Sequence, residues 1–562
     1  MMPSYPYRLL PLLLLPCLAT AQTDLPAEQV QVVKVFEAKL AETEKYSLTP
    51  VPLPLDTSIQ AQDYRVPEKS FSVQYPAPRI RPVSFKSEDE VADLHRFIGK
   101  LGGGLPNSRY GEGSYHAFVR PDKQTAYDIG LNLFHHAADF SSDAVENQAF
   151  GSTRAAGKGT YYFPQGFAVQ ADMGYTANRY SYYGYNFDPA YRGGSQEKEA
   201  VRQQFGIFDF GAQLFNGVPT AADFNYQAGI DFYTMGDAFT ARETGFKFRA
   251  EGTKWIREKH SFDLAVVTDF SWYDDTLRTA VDLHNYTLRP AFSYHGKTFK
   301  VRAGGRLVSH KDEFELFPDL ECTLNLSGEL LSLVVGMSGD LQKNNFRNLT
   351  TYNPYLYTSL EDDILRNTRY FEAFAGVRGA VRSMEYSARV AYKPTNDLAL
   401  FVARATETLN PDPFDQTFRV TYDDVNIIHI SATAKATFLE RLDVTGFLSY
   451  NIFDKVDEYK AWHLPAFQAN LIGSYATADG KLRTKAQLFL ESGVYSNVRG
   501  GSVNRWKNLG GLYDVSLGAE YWFADHFGAF LDLNNLLNNQ RERWLFYPTY
   551  GINVLGGVTA RF

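Results

Sequence analysis

The chain has 562 residues, with 56 Lys and Arg against 64 Asp and Glu, a formal net charge of −8. That balance excludes a nucleic-acid binder built on a basic patch, which needs a basic excess or stripe. Its 42 Phe, 36 Tyr and 6 Trp are more rings than a soluble core needs, and they fit a wall that meets two membrane–water interfaces.

At the start, Arg8 precedes an apolar run from Leu9 to Leu18, and Ala19-Thr20-Ala21 gives a small-x-small cleavage site before Gln22. Residues 1–21 therefore read as an export signal, too short to span a bilayer as a helix. Cys17 follows Pro16, which suits a lipobox poorly, so Cys17 is expected to leave with the signal and the mature chain to be unlipidated. Cys322 then stands alone, and one thiol makes no intramolecular disulfide. No later run is long and apolar enough for a transmembrane helix.

Residues 22–92 form a second region. Gln29 to Lys45 could be a short helix, after which Pro50, Pro52, Pro54, Pro67, Pro76, Pro78 and Pro82 are spread through polar sequence. Proline removes backbone donors and favours polyproline-like geometry, so this region reads as an extended strap, either a plain linker or a segment in a lumen or on a periplasmic partner. Its Arg65, Lys69, Arg79, Arg81 and Lys86 could pair with carboxylates inside a barrel.

From residue 93 to 562 the pattern has period two. Phe167, Val169, Ala171, Met173 and Tyr175 alternate with Ala168, Gln170, Asp172, Gly174 and Thr176. Phe262 to Trp272 repeats this with Asp263 and Asp269 on the polar side. Leu482 to Glu491 sets Leu482, Thr484, Ala486, Leu488 and Leu490 against Arg483, Lys485, Gln487, Phe489 and Glu491. Tyr513 to Phe523 sets Tyr513, Val515, Leu517, Ala519 and Tyr521 against Asp514, Ser516, Gly518, Glu520 and Trp522. Strands of about ten residues are what a tilted strand needs to cross a bilayer. The expected fold is all-β, a transmembrane antiparallel barrel of about 22 strands, an even number that puts both termini on the periplasmic side. Lys393-Pro394-Thr395-Asn396-Asp397 and Ala478-Asp479-Gly480 read as tight periplasmic turns. The polar stretches 344–369, 409–419 and 497–508 read as outer loops. The location implied is the cell outer membrane, with outer-membrane lipids as surroundings.

Signals of chemistry are scarce. H-E-x-x-H, G-x-S-x-G, Walker A and Cys/His metal spacings are all missing. Ser114 and His116 are close in sequence but make no triad, and His135 and His136 point to opposite faces of a strand. Glu361-Asp362-Asp363 could bind a cation, but a solvated acidic turn is the simpler reading. The chain therefore reads as no enzyme, with no catalytic, metal or cofactor-binding residues and no cofactor. A barrel protease or lipase would need a cluster assembled from distant strands. The candidate lumen residues are Asp172, Asp263, Asp514, Glu520, Arg483 and Lys485, whose charges would set selectivity.

At the C-terminus, Ile552, Val554, Gly556, Val558, Ala560 and Phe562 alternate with Asn553, Leu555, Gly557, Thr559 and Arg561. A last strand ending on an aromatic residue is similar to the signal read by the barrel-assembly machinery, so Val558, Ala560 and Phe562 are its candidates, and loss of Phe562 should impair insertion. Asp532-Leu533-Asn534-Asn535-Leu536-Leu537-Asn538-Asn539, then Trp544, Tyr547-Pro548 and the final Gly557 to Phe562, resembles the last hairpin of TonB-dependent receptors. Gly551-Ile552 stands where that family has Gly-Arg. Val33 to Ala38 and the Pro-rich strap are also similar to short receptor-like barrels of the Bacteroidetes group. The resemblance implies a barrel for solute passage or a barrel component of an outer-membrane assembly. It departs at residues 22–92, too short and extended for the family's globular plug, so TonB is not an expected partner. The alternative is a non-transporting anchor or scaffold for a lipoprotein or periplasmic partner.

Overall fold

The computed structural model describes residues 95–562 apart from 123–124, 142–144, 190, 192, 217–219, 221, 258, 276–277, 311–312, 359–364, 405–412, 439–440, 456–459 and 498–505. The signal, the strap and the acidic turn at 361–363 lie outside the described residues. Twenty-two antiparallel strands form one closed sheet, each paired with its neighbours in the chain, and the first strand, Phe97–Leu105, pairs with the last, Asn553–Arg561. Closure removes both sheet edges, so every ladder donor and acceptor is satisfied inside hydrocarbon. No helix among the described residues is long and apolar enough to cross a membrane.

Phe562 is tied into the seam. Its N–H donates to the Phe97 carbonyl at 2.9 Å, the Phe97 N–H returns the bond at 2.9 Å, and the two rings stack. The seam also needs glycine on both strands. Gly102 faces Gly557 and Gly103 faces Gly556, and a Cβ on Gly557 would lie 2.1 Å from the Leu101 carbonyl oxygen.

The alternation sorts the two walls. Leu101, Leu131, Leu133, Met173, Tyr175, Leu517 and Tyr521 are exposed on the outer wall, facing lipid. Their strand neighbours turn inward and carry the charge. Among the connections at the end shared by the termini is the four-residue hairpin turn built on Gly480, whose φ is +65°. The long connections lie at the opposite end, which is the outside in barrels of this kind.

One expected turn is a strand. Lys393 to Asp397 lies inside Met384–Ala403, a strand of 20 residues, and the sequence there marks a bulge: the register against Phe418–Phe438 slips between Thr395 and Leu398, and Asp397 has φ +53°. A proline and a positive-φ residue are tolerated where the ladder is already broken. The turn at 478–480 is present as read, and the described parts of the stretches 344–369, 409–419 and 497–508 fall at the outer end.

Candidate functional site: the lumen wall and the loop lid

The inward charges pair across strands. Lys100 meets Glu520 at 2.5 Å, and Glu520 also accepts from the Trp522 indole N–H at 2.8 Å. Arg302 bridges Asp263 at 3.1 Å and Asp319 at 3.0 Å. Lys343 reaches Asp269 at 2.6 Å. Asp514 accepts from Ser516 at 2.6 Å. Asp172 lies opposite Lys158 and over Gly211, where its carboxylate would sit 2.9 Å from any added Cβ. Arg483 stands opposite Glu520, and Lys485 opposite Gly518 on the same inner face. The six candidate residues are thus split between two sectors of the wall and the strand carrying Asp172, and do not converge on one site. Ser114 donates to Asn132 at 2.9 Å and His116 meets Asp128 at 2.6 Å, so the serine's hydrogen bond goes to an amide and not to the imidazole. No group of three or more His, Cys, Asp or Glu among the described residues is placed to hold a metal ion.

The main convergence is at the outer mouth. The loops there bury one another in a single apolar core with the inward side chains of the strand tops: Tyr183, Phe346, Leu349, Leu356, Val494, Leu509, Trp544, Leu545 and Tyr547 pack with Phe205, Ile207, Met235, Tyr273, Phe401 and Phe418. The last loop, 535–552, is the hub. Its small hairpin, Glu542–Trp544 against Tyr547–Pro548, carries two rings into the centre. Tyr547 stacks on Tyr355 at 3.7 Å and meets Tyr183 edge-on at 5.0 Å. Trp544 stacks on His463 at 4.9 Å and meets Phe401, Phe418 and Tyr352 edge-on. Edge-to-face and offset pairs of this kind add about 0.5–1.5 kcal/mol each beyond burial.

Two buried carboxylates tie this lid to the wall. Glu491, 1% exposed, receives Arg541 at 3.2 Å and Arg543 at 2.8 Å, both from the last loop. Burial pulls the Arg541 guanidinium below its ordinary value, and Glu491 opposes that shift. Across the mouth, Glu243 accepts from the Phe346 N–H at 2.7 Å and the Arg347 N–H at 3.2 Å, where the short helix Phe346–Tyr352 begins, and from the Tyr233 hydroxyl at 2.6 Å. Arg347 continues to Asp209 at 2.6 Å. His463 accepts a fixed place in the same core: its Nδ1 lies 2.7 Å from the Phe401 carbonyl, and burial pushes its pKa down to about 4.

Sequence reasoning placed Glu491 on the polar face and Trp544 and Tyr547 in a family motif, but missed Glu243, Tyr352, Tyr355 and His463. A signal was available. The stretch 344–369 is polar overall yet holds Phe346, Tyr352, Tyr355 and Tyr357, more rings than a solvated loop needs.

Several solved structures superpose on this barrel. The pyoverdine outer membrane receptor FpvA of Pseudomonas aeruginosa superposes with a TM-score of 0.60 at 11% identity, over 84% of this chain and 79% of that one. The siderophore receptor PirA of Acinetobacter baumannii gives 0.61 at 11% identity, over 84% and 81%. The copper transporter OprC gives 0.57 at 12%, over 84% and 81%. This chain has the outer-membrane receptor barrel fold. At these identities the likeness is one of fold. The sequence matches no described protein family and no curated protein.

Proposed function

We propose that this receptor-like barrel passes a solute across the outer membrane without a globular plug, and that its outer loops do the closing. The observation that carries this reading is the division of labour in the lumen. The wall is charged and paired with itself, as a water-filled passage requires, while a buried apolar core lies across the outer mouth. The lumen charges at Asp172, Asp263, Asp514, Glu520, Arg483 and Lys485 then act on whatever enters. The neighbours are receptors and a transporter, which supports transport over catalysis. In this reading residues 22–92 are an extended periplasmic or lumen segment and not a plug, TonB is not a partner, and the barrel-assembly machinery reads Val558, Ala560 and Phe562.

Single-channel conductance of the full chain in planar bilayers tests it. Glu491→Gln removes the charge that holds Arg541 and Arg543, and breaking a buried pair costs about 3–5 kcal/mol. The wild type should conduct rarely, and the variant should open often. The second reading, an anchor or scaffold for a lipoprotein or periplasmic partner, is favoured by a lid packed like a domain core. Low conductance in both proteins, with the variant correctly inserted, would support it and sink the transport reading.

A further inference from the structure

The outer wall of the second to sixth strands can be read row by row, because register fixes which residues lie side by side. Four rows are apolar. The lowest runs Val119, Tyr127, Tyr161, Val169 and Leu214. The highest runs Gly113, Leu133, Ala155, Tyr175 and Phe208. Four rows span about 20 Å along the strands, close to the apolar band of a membrane barrel once tilt is allowed for. The next row toward the outside is polar, with His135 beside Thr153, whose Oγ1 lies 2.8 Å from the imidazole Nδ1.

The row above that one is built differently from the rest of the wall. It runs Arg109, Ala137, Gly151, Arg179, so two arginines flank a floor of two small residues. The Arg179 guanidinium lies over Gly151, 3.7 Å from where a Cβ would sit, and Ala137 is only 2% exposed although it faces outward. Neither arginine makes an ion pair among the described residues. Asp139, on the outer face in the row above, is taken by Lys198. The arginines stand four residues beyond the last apolar row, about 13 Å along a strand and about 10 Å along the membrane normal. That is headgroup depth. Two long cations at that depth, Arg179 held over Gly151 and neither ion-paired among the described residues, call for an anion supplied by the membrane.

We propose that Arg109 and Arg179, with the His135–Thr153 pair beneath them, form a docking site for the phosphate of a phosphorylated lipid in the outer leaflet. The guanidinium forks bind phosphate oxygens from both sides of the Ala137–Gly151 floor, and the acyl chains run down the wall over Leu133 and Met173. The site lies on the outer surface, away from the lid and lumen, and stands whatever the barrel transports.

Native mass spectrometry of the full chain, released from detergent with added diphosphorylated lipid A, tests this. The wild type should retain one lipid, and Arg109→Gln/Arg179→Gln should hold it about tenfold less tightly or worse, as loss of charge-assisted hydrogen bonds predicts. Heat-modifiable migration on gels reports whether the variant is a folded barrel. If it is not, Arg109→Lys/Arg179→Lys keeps the charge and loses the fork, and a weakened but measurable retention is then expected. Equal retention by wild type and a folded variant would overturn the proposal. So would equal retention of the dephosphorylated lipid, or displacement of the lipid by inorganic phosphate at equal concentration.

Discussion

Tyr547 and Tyr175 are the same residue put to opposite uses. Tyr547, 2% exposed, is stacked between loops in the lid, and Tyr175, 49% exposed, faces lipid on the outer wall. On the wall the membrane supplies the apolar surroundings, so each side chain needs only the correct parity. In the lid the protein must supply them, and each ring depends on partners from distant loops. Trp544 touches residues from four other parts of the chain, Tyr352, Phe401, Phe418 and His463. Damage to the wall should therefore act on insertion, and damage to the lid on permeability alone.

The largest separation of the two regions is expected from Trp544→Ala. Truncating a buried Trp costs about 3–5 kcal/mol, and here the loss falls on loop packing. Outer-membrane levels should stay normal while uptake of a large antibiotic rises. Reduced levels with unchanged permeability would show that the lid and wall fold as one unit. Met173→Arg is the converse, placing a cation in the apolar band at a cost of about 2–4 kcal/mol. It should lower the amount of folded barrel in membranes and leave the conductance of the inserted molecules unchanged.

The smallest effect is a pH dependence confined to the lid. The His463 pKa is held near 4 in the closed lid by burial, against about 6.5 when exposed. An open lid therefore binds more protons than a closed one between those values. Closure is fully favoured above about pH 6.5, weakens as pH falls, and has lost up to about 3 kcal/mol by pH 4. Open probability should rise over that window in wild type. The dependence should flatten in His463→Gln, and a flat wild-type profile would remove His463 from the account.

Most of the wall is legible in residues that alternate. Val169, Met173 and Tyr175 against Gln170 and Asp172, or Leu488 and Leu490 against Gln487 and Glu491, fix which side meets lipid, because a one-residue slip would reverse every side chain. The closing strand from Asn553 to Arg561 and its terminal Phe562 were readable for the same reason. Lys393 to Asp397 was misread because Pro, Asn and Asp favour turns and bulges alike, and only the partner strand's register distinguishes them.

Parity is a local property, so the sequence by itself determined the barrel, its strand number to within a few, and the charged lumen. The lid is a different kind of object. Glu491 with Arg541, Glu243 with the Phe346 N–H, and Tyr547 with Tyr355 join residues 50, 103 and 192 positions apart, and at least one partner of each pair lies in a loop that has no repeating pattern. Only closure of the sheet brings those loops over one mouth, and only there do their scattered rings and charges find the partners that offset burial. Register between successive strands, likewise invisible in one strand alone, put Arg109 and Arg179 in one row three strand-to-strand steps apart. Alternation says which way a side chain points, and tertiary structure decides what it meets.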